Sequence, residues 1–156
     1  MPAKAGIHDL SLLTHHHPIR VYYQDTDAGG IVYHANYLAF AERARSEALR
    51  AMGIPHAEMV KNHHVMFVVR RIILDYQRPA RLDDQLTVET RILEVGGASA
   101  THRQHFWRDS DSLAVLDVWL GCATVPEGRA ARMPKAWRAR MSDGIEKGVR
   151  LSGSSG

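Results

Sequence analysis

The stretch Tyr22-Tyr23-Gln24-Asp25-Thr26-Asp27-Ala28-Gly29-Gly30-Ile31-Val32-Tyr33-His34-Ala35-Asn36-Tyr37 runs from the end of a predicted strand, Ile19 to Tyr23, through a glycine-marked turn into a helical pattern. From Asn36 onward the period is that of a helix: Tyr37, Ala41, Ala44 and Ala48 recur at spacings of three and four, with Leu38, Leu49 and Met52 beside them. Arg43, Arg45, Glu47 and Arg50 are expected on the opposite side. Gly53 stops this helix and Pro55 prevents its continuation. Its many alanines let another layer approach closely.

Outward from this helix, the remaining chain reads as strands. Val65 to Tyr76 is long and β-branched, with Arg70, Arg71 and Asp75 emerging into solvent. Gln85 to Val95 places Leu86, Val88, Thr90 and Ile92 on one face, and Gly96-Gly97 suits a hairpin turn needing positive φ. Ser99 to Trp107 and Leu113 to Val125 complete the set, with the turn at Asp109 to Asp111. The fold class is α+β: a long central helix wrapped by a curved antiparallel sheet of about five strands. Pro134 opens a short amphipathic helix, Lys135 to Lys147, that buries Trp137 and Met141. The exposed edge and face of such a sheet favour a homodimer.

A chain of 156 residues with 45% apolar content is expected to hold a single domain, over residues 18–150. Residues 1–17 read as a loosely ordered arm and 151–156 as a flexible end. In that arm His15, His16 and His17 cannot all face one interior from a regular element, and no thiol or HExxH pattern accompanies them. A solvent-facing run is therefore expected there rather than a metal site. The longest apolar runs, such as Val65 to Val69, are too short to span a bilayer, and the N-terminus lacks a secretory h-region. A cytoplasmic protein is expected. The single cysteine, Cys122, precludes an internal disulfide and lies in an apolar run that points to a buried, inert thiol.

Net charge is +3, and Glu127 to Arg150 alone carries seven basic against three acidic residues. Such a segment suits an anionic partner or a solvated helix face, and no aromatic-basic interleaving favours nucleic acid.

Asp25, Thr26 and Asp27 are ordinary capping and turn residues, yet they precede a turn where backbone approaches a ligand closely. An ionised carboxylate there can attack a carbonyl or activate water, while the helix N-terminus polarises it. The residues alone leave a capping role and a catalytic one both open.

Extended from Arg20-Val21 at one end to Leu38 and Phe40-Ala41-Glu42-Arg43-Ala44-Arg45 at the other, the stretch resembles the signature of the hotdog-fold acyl-CoA thioesterases. It looks most like the branch of Tol-Pal system-associated thioesterases, similar to 4-hydroxybenzoyl-CoA thioesterase. The likeness continues loosely through Tyr76-Gln77-Arg78-Pro79-Ala80-Arg81-Leu82-Asp83-Asp84 and the final strands, covering roughly residues 18 to 140.

The resemblance implies a hotdog fold and hydrolysis of a short- or medium-chain acyl-CoA, with an aromatic substrate as the alternative. It makes Asp27 the catalytic carboxylate and the backbone N–H of His34 the oxyanion donor, with Asp25 supporting the loop. Tyr33, Asn36 and Tyr37 would shape the acyl pocket or hold the helix end, Gly30 would belong to the substrate site, and Arg78, Arg81, Arg129 and Arg132 would meet the phosphates of coenzyme A. Glu42 is the alternative carboxylate, because another branch of the fold places its catalytic group on the central helix. No metal and no cofactor is expected, coenzyme A being part of the substrate. An acyl carrier protein or cell-envelope component is a candidate partner of a chain with feeble activity, and a dimer of dimers is the expected assembly.

Overall fold

A computed structural model describes residues 14–143. The first strand is β1 (His15–Arg20); the central helix is α1 (Asn36–Ala51); α2 (His56–Glu58) runs into a π-helical turn at Met59–His63; then come β2 (Val65–Tyr76), β3 (Gln85–Val95), β4 (Ser99–Arg108) and β5 (Asp111–Thr124). A last helix, α3, occupies residues 135–143, and no helix among the described residues is long and apolar enough to cross a membrane. The strands form one antiparallel sheet in the order β1-β3-β4-β5-β2.

The alternating pattern of β3 to β5 turns Leu86, Val88, Phe106, Leu116 and Val118 toward α1, which answers with Tyr37, Phe40, Ala41 and Ala44. A second cluster under the C-terminal half of α1 joins Leu49, Ile54, Met59, Trp137 and Met141. Cys122 lies in it, and burial pushes its thiol up from the ordinary value. Gly53, at φ 77°, ends α1: its N–H reaches the Arg50 carbonyl at 3.0 Å, while Ile54 N–H reaches Leu49 at 2.8 Å. Those two bonds form a Schellman stop, which requires a left-handed residue at that position.

Four expectations need correction. Strand β1 starts at His15, within the presumed loose arm, and ends at Arg20 rather than Tyr23. Pairing with β3, including His16 Nε2 against Glu89 Oε2 at 3.2 Å, draws the histidines into the sheet. The chain then turns at once into the 3-10 helix Tyr23–Asp25. Arg45 is not on the outer side of α1 but 6% exposed beneath it. Neither Gly96 nor Gly97 has positive φ; a side chain at Gly96 would meet Ser99 Oγ at 2.7 Å, and one at Gly97 the Arg132 guanidinium at 3.1 Å. These glycines serve close approach instead of handedness. The register also shifts between Ile92 and Glu94, so the alternation of β3 does not continue unbroken to its end. Residues 1–13 and 144–156, and with them most of the arm and the end of the last helix, lie outside the described residues.

His102 gives the interior a pH dependence. It is 1% exposed and neither ring nitrogen has a partner among the described residues, and burial pushes its pKa down to about 3. The unfolded chain therefore binds the proton that the folded chain refuses. Stability contributed by neutral His102 is complete above the unfolded value near 6.5 and is lost progressively as pH falls toward 3. The slope is about 1.4 kcal/mol per pH unit within that window. In His102→Met the difference from wild type should change with that slope between pH 6 and pH 4 in urea titrations; parallel pH profiles would contradict it.

Candidate active site around Asp27

The loop from β1 to α1 is built by Asp25 and Asp27 in different ways. Asp25 spends its groups on scaffolding: its carboxylate accepts Tyr22 N–H at 2.8 Å, and its carbonyl accepts Tyr33 N–H at 3.0 Å and Asn36 Nδ2 at 2.8 Å. This ties the start of α1 to the end of β1.

Asp27 closes a small hairpin. Its N–H donates to Ile31 at 2.8 Å, its carbonyl accepts Gly30 N–H at 3.1 Å, and Thr26 bridges Val32. Gly30 sits at φ 78°, a conformation that costs other residues strain. The hairpin is fixed to the segment after β2 through Val32 N–H to Ala80, 2.9 Å, and an Ile31–Arg81 bridge. Asp27 Oδ1 accepts Gly29 N–H at 2.8 Å, and Oδ2 has no hydrogen-bond donor among the described residues.

Asp27 lines a cavity of about 400 Å³ together with Val32, His34, Tyr37, Tyr76 and Arg78. The N–H of His34 has no acceptor among the described residues, while its carbonyl accepts the Tyr76 hydroxyl at 2.8 Å. No side chain caps α1; in its first turn the Asn36 N–H donates to the Tyr33 carbonyl at 2.8 Å and the Leu38 N–H to that of Ala35 at 3.1 Å. Tyr37 is 3% exposed, and burial pushes its phenol up. Its oxygen accepts Ala80 N–H at 3.2 Å, and its ring meets Tyr76 edge-on at 5.3 Å. Asp27, His34 and the Tyr37–Tyr76 aromatic pair thus line one space.

Of the residues singled out from sequence, Asp27, His34, Tyr37 and Arg78 share this cavity. Arg78 sits at its rim, paired with Asp111 at 3.0 Å. Tyr33 meets the His34 ring at a 45° tilt with centroids 4.4 Å apart, Asn36 holds Asp25, and Gly30 shapes the turn, none of them lining the space. Arg81, Arg129 and Arg132 do not line it, although Arg81 pairs with the lining residue Ile31. Arg132 reaches over Gly97 instead. Glu42 lines a separate cavity of about 200 Å³ with Arg45, His56 and Phe67. Tyr76 and Gln77 were missed as lining residues; the signal was an aromatic and an amide at the end of a strand just before Arg78-Pro79.

The thioesterase superfamily matches the chain over residues 29–115. An acyl-CoA thioesterase, YbgC, from Haemophilus influenzae is 41% identical over 122 residues, covering 78% of this chain and 90% of that protein. A solved structure of a probable thioesterase from Bartonella henselae superposes with a TM-score of 0.75 at 36% identity, covering 78% of this chain and 99% of that one. A 1,4-dihydroxy-2-naphthoyl-CoA thioesterase from Synechocystis, at 21% identity and TM-score 0.76, covers 83% of this chain and 96% of that one, and shows the fold alone. A match over more than half of the 156 residues, with a relative 41% identical, establishes the kinship: the chain is a hotdog-fold thioester hydrolase and belongs to the thioesterase superfamily.

Proposed function

We propose that the protein hydrolyses a short- or medium-chain acyl-CoA to the free acid and coenzyme A at the Asp27 cavity. The observation that carries this is that Asp27 and His34 line one cavity, and that neither Asp27 Oδ2 nor the His34 N–H has a hydrogen-bond partner among the described residues. The kinship with acyl-CoA thioesterases supports the substrate class.

A thioester carbonyl gains little resonance from sulfur, and thiolate leaves readily. One carboxylate and one aligned dipole are then enough. The carbonyl oxygen takes the His34 N–H, which stabilises the negative charge as it develops. Asp27 either removes a proton from a water that attacks the carbonyl carbon, or attacks it directly to form a mixed anhydride that water then opens. In both routes the C–S bond breaks, the sulfur leaves as thiolate and is protonated, and Asp27 is regenerated. Coenzyme A is a product and no cofactor takes part. Arg78 at the cavity rim meets its phosphates, with Arg81, Arg129 and Arg132 contributing charge from further away. An acyl carrier protein as the acyl donor is the further reading that the basic segment after Glu127 suits.

Strand β2 is an edge strand whose Val69 and Ile73 are 49% and 42% exposed, and a second copy of the chain is the partner we assign to it. The Tyr37–Tyr76 wall suits a ring as well as a short chain, so an aromatic acyl group such as 4-hydroxybenzoyl is the second reading. Free-thiol release from acetyl, butyryl, hexanoyl, palmitoyl and 4-hydroxybenzoyl coenzyme A separates them. A maximum at butyryl or hexanoyl supports the first; a maximum at the aromatic thioester, the second. No release from any substrate overturns both.

Tyr76 is a positioning residue here. Its hydroxyl fixes the His34 carbonyl in the turn that carries the oxyanion donor. Tyr76→Phe should lower kcat about fivefold and leave KM near its wild-type value, because the turn that carries the donor is held less firmly. A rise in KM at constant kcat would assign Tyr76 to substrate binding instead.

A further inference from the structure

The face of the sheet turned away from α1 neutralises much of its charge in cross-strand pairs, such as Arg103 with Asp117 at 2.7 Å and His16 with Glu89 at 3.2 Å. Arg70 and Arg71 depart from this pattern. Val69 stands opposite Leu120 and Arg71 opposite Trp119, so Arg70 is an extra residue in a β-bulge. The bulge breaks the alternation and brings two consecutive arginines to the same face. Arg71 lies over the Trp119 ring, 4.8 Å from its centroid. Arg70 extends across Gly121, where a Cβ would come within 2.9 Å of its Cδ. Only glycine leaves room for that path.

Together the two arginines wall a cavity of about 460 Å³ whose other sides include Trp119, Ser99, Thr101 and Glu94. Neither guanidinium has a carboxylate within ion-pair distance among the described residues, whereas Arg50, Arg78, Arg103 and Arg108 each have one. We infer that this outer-face cavity is an accessory binding site for a small organic phosphate of the nucleoside-phosphate class. Paired guanidinium forks match phosphate oxygens, and stacking on the indole holds one of them in place. The cavity is of the size that takes a small molecule. Glu94 on its wall repels an extended polyanion but accepts a hydroxyl or amino group at the other end of a discrete ligand. A nucleoside phosphate carries both ends. The inference does not depend on which acyl group Asp27 releases.

The test is calorimetric titration of the full chain with ADP, adenosine and coenzyme A, in wild type, in the Arg70→Ala/Arg71→Ala double variant and in Arg103→Ala. Both targeted arginines are exposed, so the fold should persist, and the unfolding midpoint checks it. Expected are ADP binding to wild type, at least about tenfold weaker binding of adenosine, and an equal loss of ADP affinity in the double variant. Arg103→Ala should stay within about twofold of wild type, its charge being already paired. Binding of ADP identifies a free nucleotide as sufficient. Binding of both ADP and coenzyme A, each lost in the double variant, identifies the nucleotide end of coenzyme A as a source; binding of coenzyme A without ADP overturns the inference. No arginine-dependent binding of either ligand overturns the inference. So does a double variant that changes oligomeric state at unchanged ligand affinity, which would make this face an interface between copies.

Discussion

Replacing Gln104 by Ala is expected to destabilise the protein by about 3 kcal/mol, lowering its midpoint by about 10 °C. Gln104 is fully buried and joins three partners under α1. Its Oε1 accepts Arg45 Nη1 at 2.9 Å, while its Nε2 donates to the Ala41 carbonyl at 2.8 Å and Thr90 Oγ1 at 3.0 Å. Arg45 is itself buried, has no carboxylate within ion-pair distance among the described residues, and burial pushes its guanidinium down from the ordinary value. Truncating Gln104 strips a buried cation of its acceptor and leaves a cavity beside it. The double variant Arg45→Met/Gln104→Leu removes both sides of the problem and should fall within about 1.5 kcal/mol of wild type. Equilibrium unfolding in urea measures both. A single variant costing less than the double one would show that the amide does not hold the guanidinium.

This buried polar layer was also what the sequence concealed most completely. An arginine in a stripe-and-flank pattern reads as solvent-facing, because buried guanidiniums are rare and their acceptor lies far along the chain, here in β4. Helix α1 was legible because local signals agree: alanines at helical spacing, then a glycine stop. Strands β2 to β5 were legible for the same reason, to within two residues at each end. Strand β1 was not. The pairing that recruits His15 to His17 comes from β3, a partner far along the chain, and histidine carries little strand propensity of its own. At the candidate site, the Asp27 turn could be read from its own glycines, whereas Tyr76 reaches the cavity only because the far end of β2 folds back beside His34. Arg78, Arg81, Arg129 and Arg132 were read from charge and the resemblance, neither of which fixes a side chain's place in the fold; of the four, only Arg78 borders the Asp27 cavity.

Asp27→Asn is expected to lower kcat at least about a hundredfold, equivalent to about 2.7 kcal/mol of transition-state stabilisation. The substitution is nearly isosteric. Its amide oxygen can still accept Gly29 N–H, the bond that Oδ1 makes at 2.8 Å, so the hairpin and the Gly30 turn remain. What disappears is the second, anionic oxygen, which both chemical routes require. KM should change little, since the proposed site assigns the acyl and coenzyme A parts to groups other than the Asp27 carboxylate. A retained unfolding midpoint separates this chemical loss from a structural one.

The most direct measurement of the central claim is free-thiol release from the best acyl-CoA substrate by wild type, Asp27→Asn and Glu42→Gln in parallel. Glu42 stands in a different cavity from Asp27, so its amide variant should retain turnover within a few-fold while Asp27→Asn loses at least about a hundredfold. Equal turnover by wild type and folded Asp27→Asn, with collapse in Glu42→Gln, would move the chemistry onto α1 and contradict the assignment.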